Sequence, residues 1–358
     1  MQMTGFGKTA VSALTAAGLL LMAAGGGWEQ AWGLWNESTE AGRMKNVVLL
    51  EAPSPAPREA TAEDSPLREE AAVRTLALAA EPEPETANPA PATLPAGGQE
   101  QVLETTIEGG MRIKNETGYY VDAAALLADG PGIRLPRDEA QILIIHTHAS
   151  EAYTQAGLDR YVPSDTNRTE DTQFNIVRIG DELTALLTQA GLGVIHDRGI
   201  YDYPSYTGSY TRAGEAIRQY LDSCPGIRIV FDIHRDALGS DGVVYKTMAE
   251  EEGTVASQIM LLVGSDESGL EHPGWRGNLA LALYLQNAVN SVCPTLMRPV
   301  SLVPQRYNQQ LTPGSMIIEV GSSGNTLREA LAAIRLFGSA AGPALAALIE
   351  EETEDLEE

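Results

Sequence analysis

The sequence predicts an α/β protein built on a mostly parallel sheet that is flanked by helices. Short, uniformly apolar segments such as 141–145 alternate with segments such as 174–190, whose apolar residues recur at helical spacing. A strand that is apolar at every position is typical of a parallel sheet covered on both faces. Polar residues follow several of these strands directly, at the edge where doubly wound sheets bind their ligands.

Each element is predicted from its own pattern. Strands are expected at 141–145, 193–195, 227–233, 259–263 and 315–319. Helices are expected at 174–190, 211–222, 277–292 and 327–337. Because strands and helices alternate along the chain, we predict a doubly wound α/β sheet.

The charge balance excludes one class of partner. The chain has 358 residues with 24 Lys and Arg against 49 Asp and Glu, a net charge of -25. Nucleic acid would be repelled by such a surface, since its phosphates need cationic contacts. Two cysteines, Cys224 and Cys293, are too few for a disulfide scaffold or a cysteine-based zinc site. We expect both to be unpaired, buried thiols.

The N-terminal segment predicts export. Twenty residues from Thr9 to Trp28 carry no charge, which is just enough to span a bilayer. A cleaved signal peptide is the alternative, because Ala23, Ala24 and Gly25 follow the apolar stretch. We predict that residues 1–35 form a single-pass membrane anchor, a transmembrane signal-anchor that holds the remaining chain outside the cytoplasm.

A linker should separate this anchor from the folded part. Residues 51–100 contain 9 of the 20 prolines, together with 13 alanines. Such a composition buries too little apolar surface to offset the entropy of ordering, and the prolines keep it extended. We therefore predict a disordered linker at 36–100, a catalytic domain at 101–349 and an acidic tail at 350–358.

Three predicted strand ends carry residues suited to catalysis. The first strand runs into His146-Thr147-His148-Ala149-Ser150-Glu151, the third into His234-Arg235-Asp236, and the last ends at Glu319. Two imidazoles and a carboxylate are typical ligands of a catalytic zinc, and another carboxylate can take the proton of an activated water. A single histidine at a strand end is more often structural. The coincidence of three such motifs at one sheet edge favours a metal site.

These motifs resemble the stage II sporulation protein P family. The resemblance rests on the segments 146–153, 232–237, 306–309 and 318–321, and extends over about residues 140–341. It implies a zinc-dependent N-acetylmuramoyl-L-alanine amidase that also cuts peptide cross-links of peptidoglycan. It also implies a role in engulfment during sporulation, in the space between mother cell and forespore, with stage II sporulation proteins D and M as partners.

The resemblance also implies roles for single residues. It makes His234 a zinc ligand and Glu319 the catalytic carboxylate. Similarity to the wider zinc amidase family favours His148 over His146 as the second histidine ligand.

The carboxylate ligand and the substrate contacts have alternatives. Glu151 is preferred as the ligand because the sporulation family has a Glu three residues after the second His, whereas the wider family points to Glu170 or Asp171. Asn308 and Gln309 match a Tyr-Asn-Gln segment of the family and are expected to bind substrate. Arg235 is expected to contact substrate or to form an internal ion pair.

Two other function classes fit parts of the pattern. A catalytically inactive peptidoglycan-binding module of the same fold would need a broken ligand set, which the sequence does not show. Another metal-dependent hydrolase, such as a phosphoesterase or deacetylase, usually carries an additional Asp-rich motif.

Overall fold

The computed structural model describes residues 99–103, 111–240 and 243–350. The strands are β1 Gln99–Leu103, β2 Met111–Asn115, β3 Ile142–Ile145, β4 Val194–His196, β5 Ile229–Asp236, β6 Gly239–Ser240, β7 Val243–Val244, β8 Ala249–Glu251, β9 Thr254–Ala256, β10 Ile259–Gly264, β11 Val300–Val303 and β12 Met316–Ser322. The helices are α1 Ala123–Asp129, α2 Ile176–Gln189, α3 Ser209–Ser223, α4 Trp275–Asn290 and α5 Leu327–Ala346, with a 3₁₀ turn at Gln309–Leu311.

Several predicted regions lie outside the described residues. These are the anchor at 1–35, the linker at 36–100 as far as residue 98, and the acidic tail beyond residue 350. Within the described ranges, no helix is both long and apolar enough to cross a membrane.

Eight strands form one mixed sheet in the order β1, β2, β11, β10, β12, β5, β3, β4. The run from β12 through β5 and β3 to β4 is parallel, as predicted. The predicted strand at 259–263 forms, as β10, but it runs antiparallel to β12. The sheet is therefore mostly parallel, in one block of β2, β11 and β10 and another of β12, β5, β3 and β4. The two blocks meet at the antiparallel pair of β10 and β12, so the sheet is not doubly wound throughout.

The central strands are covered on both faces, which explains their uniformly apolar sequences. In β3, Ile142 and Ile144 belong to the larger core with α2, α4 and α5, whereas Leu143 and Ile145 belong to a smaller core with α3. All four side chains are buried. Helices flank the sheet as predicted, with α3 opposite α2 and α5.

Local signals fix the ends of two helices near the site. The side chain of Asn175 caps α2 by accepting the N–H of Val177, which satisfies one of the free donors of the first turn. Thr326 and Glu329 form a reciprocal capping box at the start of α5. That helix continues past the predicted end at 337, because Ala341 and Leu345 extend its buried stripe.

The two cysteines are unpaired, as expected. Cys293 is buried, but Cys224 is only half-buried because it lies at the C-terminal cap of α3. The strands β1, β2 and β11, the helix α1 and the two small hairpins β6–β7 and β8–β9 were not predicted from the sequence.

Candidate active site

The three predicted strand ends come together at one edge of the sheet. Strand β5 lies between β3 and β12 and is parallel to both. Glu319 is the direct register partner of His234. Both residues lie inside their strands rather than after them, because β5 continues to Asp236 and β12 to Ser322. The pairing is interrupted between Glu319 and Ser322.

The bulge in β12 depends on Gly321. Its φ of +67° lies in the left-handed region, and a Cβ there would come within 2.8 Å of the Ser257 side chain. A bulge of this kind re-aims neighbouring side chains. It ends the regular ladder just after Glu319, which leaves that carboxyl group at the edge of the paired region.

Buried carboxylates hold the loop after β3. Asp232 of β5 accepts hydrogen bonds from Thr147 N at 2.8 Å and Thr147 Oγ1 at 2.6 Å. Asp202 accepts from Ser150 N at 3.1 Å and Ser150 Oγ at 2.6 Å. Both contacts fix the backbone on either side of His148, so this loop holds that ring in a defined place.

His148 is buried, yet only one of its ring nitrogens has a partner. Nε2 lies 3.0 Å from Tyr206 Oη, and the two rings stack with centroids 4.4 Å apart. Among the described residues, Nδ1 has no hydrogen-bond partner. The ring of His234 stands edge-on to that of His148, at 5.3 Å between centroids. Burial, reinforced by the charge of His234, lowers the pKa of His148 to about 3.

His234 lies between two carboxylates. Its Nδ1 is 3.5 Å from Glu151 Oε2, and its Nε2 is 2.9 Å from Asp232 Oδ1 without hydrogen-bond alignment. Burial alone would lower the pKa of His234, but Asp232 and then Glu151 raise it well above its usual value. The two carboxylates therefore favour a positive charge at this position.

Glu151 is held by arginines. Its Oε2 accepts the Arg235 backbone N–H at 3.1 Å, and its Oε1 lies 3.6 Å from Arg235 Nη1 and 3.5 Å from Arg168 Nη2. Burial would raise the pKa of Glu151, but the charges of Arg235 and His234 outweigh it and keep the pKa well below the usual range. The carboxylate is thus ionised and directed at His234.

The surroundings of Glu319 raise its pKa, whereas those of Glu151 lower it. Glu319 Oε2 is buried and has no hydrogen-bond partner within the described ranges. Burial and then the like charge of Asp236 raise the pKa of Glu319 to about 8, against a smaller lowering by His234. A carboxyl group whose pKa lies near neutrality can both accept and return a proton. Glu319 is therefore suited to general acid–base chemistry.

His146, the predicted alternative to His148, lies on the other face of the sheet. Its Nδ1–H donates to Ile233 O at 3.1 Å, and its Nε2 lies 2.8 Å from His196 Nε2. His196 Nδ1 is in turn 3.2 Å from Asp181 Oδ1. Burial, and then His196, lower the pKa of His146 to about 3. Both nitrogens of His146 are thus engaged away from His148.

Gly180 makes room for this pair of rings within α2. A Cβ at that position would lie 2.5 Å from His196 Nε2 and 2.6 Å from His146 Nε2. Glycine inside a helix normally costs about 1 kcal/mol relative to alanine. Close approach of the two imidazoles explains its presence here.

The remaining predicted residues are found in varied settings. Arg235 is buried and donates to Ala152 O and Asn167 O, besides its contacts with Glu151. Asn308 donates to Tyr210 O, and Gln309 bonds to Gly264 N and Leu262 O. Glu170 and Asp171 are exposed, and Asp171 Oδ1 accepts the Gln173 N–H. Of the carboxylates considered from the sequence as ligands, Glu151 is the one in contact with His234.

The donors present are of the type that zinc prefers, namely imidazole nitrogen and carboxylate oxygen. Among the described residues, no group of three or more His, Cys, Asp or Glu side chains is arranged so that it could hold a metal ion. In the described part of the chain, His148 Nδ1 is nevertheless buried without a hydrogen-bond partner, and His234 Nε2 has only the poorly aligned carboxylate of Asp232. Such orphaned polar atoms are costly unless something binds them. In donor type, the set fits a zinc ion.

Sequence reasoning missed Tyr206 and Asp232. Tyr206 lies in a loop, and no residue spacing links it to His148. Asp232 could have been noticed, because a charged residue inside an otherwise buried strand needs a partner. The partners of Asp232 are Thr147 and His234.

An open groove of about 590 Å³ borders the site along the loop after Glu151. Asn167 contributes to its wall and also accepts the hydrogen bond from Arg235. Hydroxyl and amide groups dominate the lining, which consists of Thr154, Gln155, Arg160, Tyr161, Pro163, Ser164, Asp165, Thr166 and Asn167. The groove offers polar contacts to an extended ligand.

Comparison with known proteins gives one family. Stage II sporulation protein P of Bacillus subtilis (strain 168) is 23% identical over 207 residues, which cover 54% of this chain and 48% of that protein. The chain thus matches about half the length of this relative.

Solved structures with detectable likeness include two amidases. N-acetylmuramoyl-L-alanine amidase AmiC2 of Nostoc punctiforme is 15% identical, with 58% of this chain and 94% of that chain covered and a TM-score of 0.32. The N-acetylmuramyl-L-alanine amidase Ami1 from Mycobacterium smegmatis is also 15% identical, with 59% and 97% covered and a TM-score of 0.34. These scores are too low to establish a shared fold. The family model for stage II sporulation protein P, by contrast, matches residues 51–341, and the chain therefore belongs to the stage II sporulation protein P family.

Proposed function

We propose that the chain is a zinc-dependent peptidoglycan hydrolase that cleaves the N-acetylmuramoyl-L-alanine amide bond, with peptide cross-links as a second target. The proposal rests on Glu319. This residue is the register partner of His234, its carboxyl group has a raised pKa, and one of its oxygens is buried without a hydrogen-bond partner among the described residues. Membership of the sporulation family supports peptidoglycan as the substrate.

His148, Glu151 and His234 would hold the zinc ion. Each of the three has an outer contact: Tyr206 contacts His148, the Arg235 backbone N–H contacts Glu151, and Asp232 contacts His234. Such outer contacts orient metal ligands. When bound, zinc supplies positive charge that polarises the scissile carbonyl and makes a nearby water more acidic. Glu151, already ionised, needs no proton release to serve as a ligand.

Glu319 would manage the proton in hydrolysis. As a carboxylate it takes a proton from the water whose oxygen attacks the carbonyl carbon of the lactyl amide. It then gives that proton to the nitrogen of the leaving L-alanine as the C–N bond breaks. The products are a lactyl carboxylate and a free peptide amine. In the metal-free chain burial raises the pKa of Glu319 to about 8, and the charge of a bound zinc ion would lower it and favour the carboxylate form that takes the proton.

Digestion of purified sacculi by the zinc-loaded full-length chain tests the proposal. We expect mass spectrometry to find stem peptides with a free N-terminal L-alanine and glycan strands that lack peptide. Glu319→Gln serves as the matched control and should release neither. Binding of sacculi without any cleavage by the zinc-loaded chain would instead identify a binding module. Cleavage that a strong chelator leaves unchanged would exclude the zinc site.

The same proposal places the domain outside the cytoplasm, tethered by the predicted anchor, with stage II sporulation proteins D and M as partners. The charge-free segment from Thr9 to Trp28 supports this placement. Protease added from outside the cytoplasm should release the folded domain from membranes. Recovery of a mature soluble form that begins near Gly25 would indicate a cleaved signal peptide instead.

A further inference from the structure

We propose that Tyr206 positions His148 for metal binding and that His148 binds zinc through Nδ1. Tyr206 is thus a positioning residue, one that acts on the ion through another side chain. The inference rests on the proposed zinc site, and it is independent of which bond the protein cleaves.

The hydrogen-bonding state of the His148 ring carries the first step. Nε2 lies 3.0 Å from Tyr206 Oη, whereas Nδ1 is buried and has no hydrogen-bond partner in the part of the chain that the structure describes. A neutral imidazole has one nitrogen that donates and one that accepts. A metal takes the unprotonated nitrogen, so the proton belongs on Nε2, where it is donated to Tyr206 Oη.

The surroundings of Tyr206 carry the second step. Its ring stacks on His148 with an interplanar angle of 14°, and the guanidinium of Arg168 lies 5.1 Å from its centroid. Arg168 Nη1 in turn donates to Asp202 Oδ2 at 2.6 Å, and that carboxylate is fully buried. The phenol is thus fixed by a stack and a cation, and these contacts locate its hydroxyl.

The placement of His234 carries the third step. Its ring is almost perpendicular to that of His148, at 89° and 5.3 Å between centroids. Rings this close could both serve as ligands of one zinc ion, whose bonds to nitrogen are about 2.0–2.1 Å. Tyr206 occupies Nε2 of His148, so Nδ1 is the nitrogen left for that ion.

Substitution of Tyr206 by Phe tests the role of the hydroxyl, because Phe keeps the stacked ring. Loss of an outer contact to a metal ligand typically weakens metal affinity about 10- to 100-fold. We expect the full-length Tyr206→Phe chain to show a zinc dissociation constant raised by about that factor, measured by competition with a chromophoric chelator. Tyr203→Phe is the matched control, since Tyr203 lies in the same loop and is exposed. It should bind zinc like the wild type.

Ring-nitrogen NMR of the zinc-loaded wild type gives a second measurement that needs no variant. We expect His148 to carry its proton on Nε2 and to bind the metal through Nδ1. Zinc bound through Nε2, unchanged affinity in Tyr206→Phe, or no zinc binding by the wild type would each overturn the inference. Failure of the zinc-loaded wild type to cleave muropeptides, with the affinity difference intact, would overturn the proposed activity alone.

Discussion

His146 and His148 follow the same strand two residues apart, but they serve opposite faces of the sheet. On the α2 side, His146 contacts the Ile233 carbonyl with one nitrogen and His196 with the other. On the α3 side, His148 contacts Tyr206 with one nitrogen, while the other has no hydrogen-bond partner among the described residues. Both rings are buried, with 0% and 6% of their surface exposed.

Burial therefore does not distinguish His146 from His148, but the number of ring nitrogens that have a partner does. A buried polar atom without a partner is rare in folded proteins and marks a position that something else can occupy. We expect the α2 side to affect stability and the α3 side to affect metal binding and hydrolysis.

The largest effect is expected for Glu319→Gln on the α3 side. Gln keeps the shape of the side chain but cannot accept a proton, and general base catalysis contributes roughly 10²- to 10⁴-fold. Hydrolysis of muropeptides should fall by about that factor, while bound zinc, measured by atomic absorption on the same sample, stays at the wild-type level. Loss of zinc would show that Glu319 is a ligand, and unchanged hydrolysis would remove this strand end from the active site.

Alanine substitution of His146 and of His148 compares the two faces of the sheet directly. His148→Ala removes a predicted ligand, so zinc affinity and hydrolysis should fall together with little loss of stability. His146→Ala leaves Ile233 O and His196 Nε2 unpaired, and each buried unpaired group costs about 1–3 kcal/mol. Its free energy of unfolding should fall by that amount or more, while zinc affinity changes far less than in His148→Ala.

Denaturant unfolding without metal and titration with zinc would measure the two quantities separately. If His146→Ala lost zinc as fully as His148→Ala, the contrast between the faces would be wrong.

Gly180→Ala affects only the α2 side. In an open helix this change stabilises by up to about 1 kcal/mol. Here the new methyl group would meet two imidazole nitrogens at 2.5 and 2.6 Å, and overpacking of this kind costs about 1–3 kcal/mol. The matched control is Gly277→Ala in α4, where a Cβ meets nothing within 4 Å. Thermal unfolding should show opposite signs for the two variants.

Much of the fold followed from periodicity alone. Strand β3 and helix α2 were predicted to within two residues. A short, uniformly apolar run indicates a buried strand, and a stripe such as Ile176, Ile179 and Leu183 indicates a helix. The antiparallel direction of β10 could not be predicted, since strand direction depends on which neighbour a strand pairs with and leaves no local pattern. The short hairpins β6–β7 and β8–β9 carry too few residues for a pattern.

The candidate site was predictable as a set of strand ends but not as a set of contacts. Because β3, β5 and β12 are parallel, the residues at their ends had to meet at one edge. The choice between His146 and His148 could not be made from residue spacing. It depends on partners distant in sequence, namely His196 for one ring and Tyr206 for the other.

The smallest effect is expected at the outer end of the α2-side contacts, at Asp181. Burial would raise the pKa of Asp181, but hydrogen bonds from His196 and Arg198 hold it below its usual value. The carboxylate therefore accepts from His196 and Arg198, and it holds the outer end of the contacts that reach His146 through His196.

Asp181→Asn should keep the contact with His196, because the Asn side chain has both a donor and an acceptor. The ion pair with Arg198 that is lost is partly exposed, with 29% of the Asp181 side chain accessible, and such pairs contribute about 1 kcal/mol or less. The free energy of unfolding, measured with denaturant, should therefore fall by no more than that, with zinc affinity unchanged. A larger loss would show that the Asp181 carboxylate is needed to hold the α2-side contacts together.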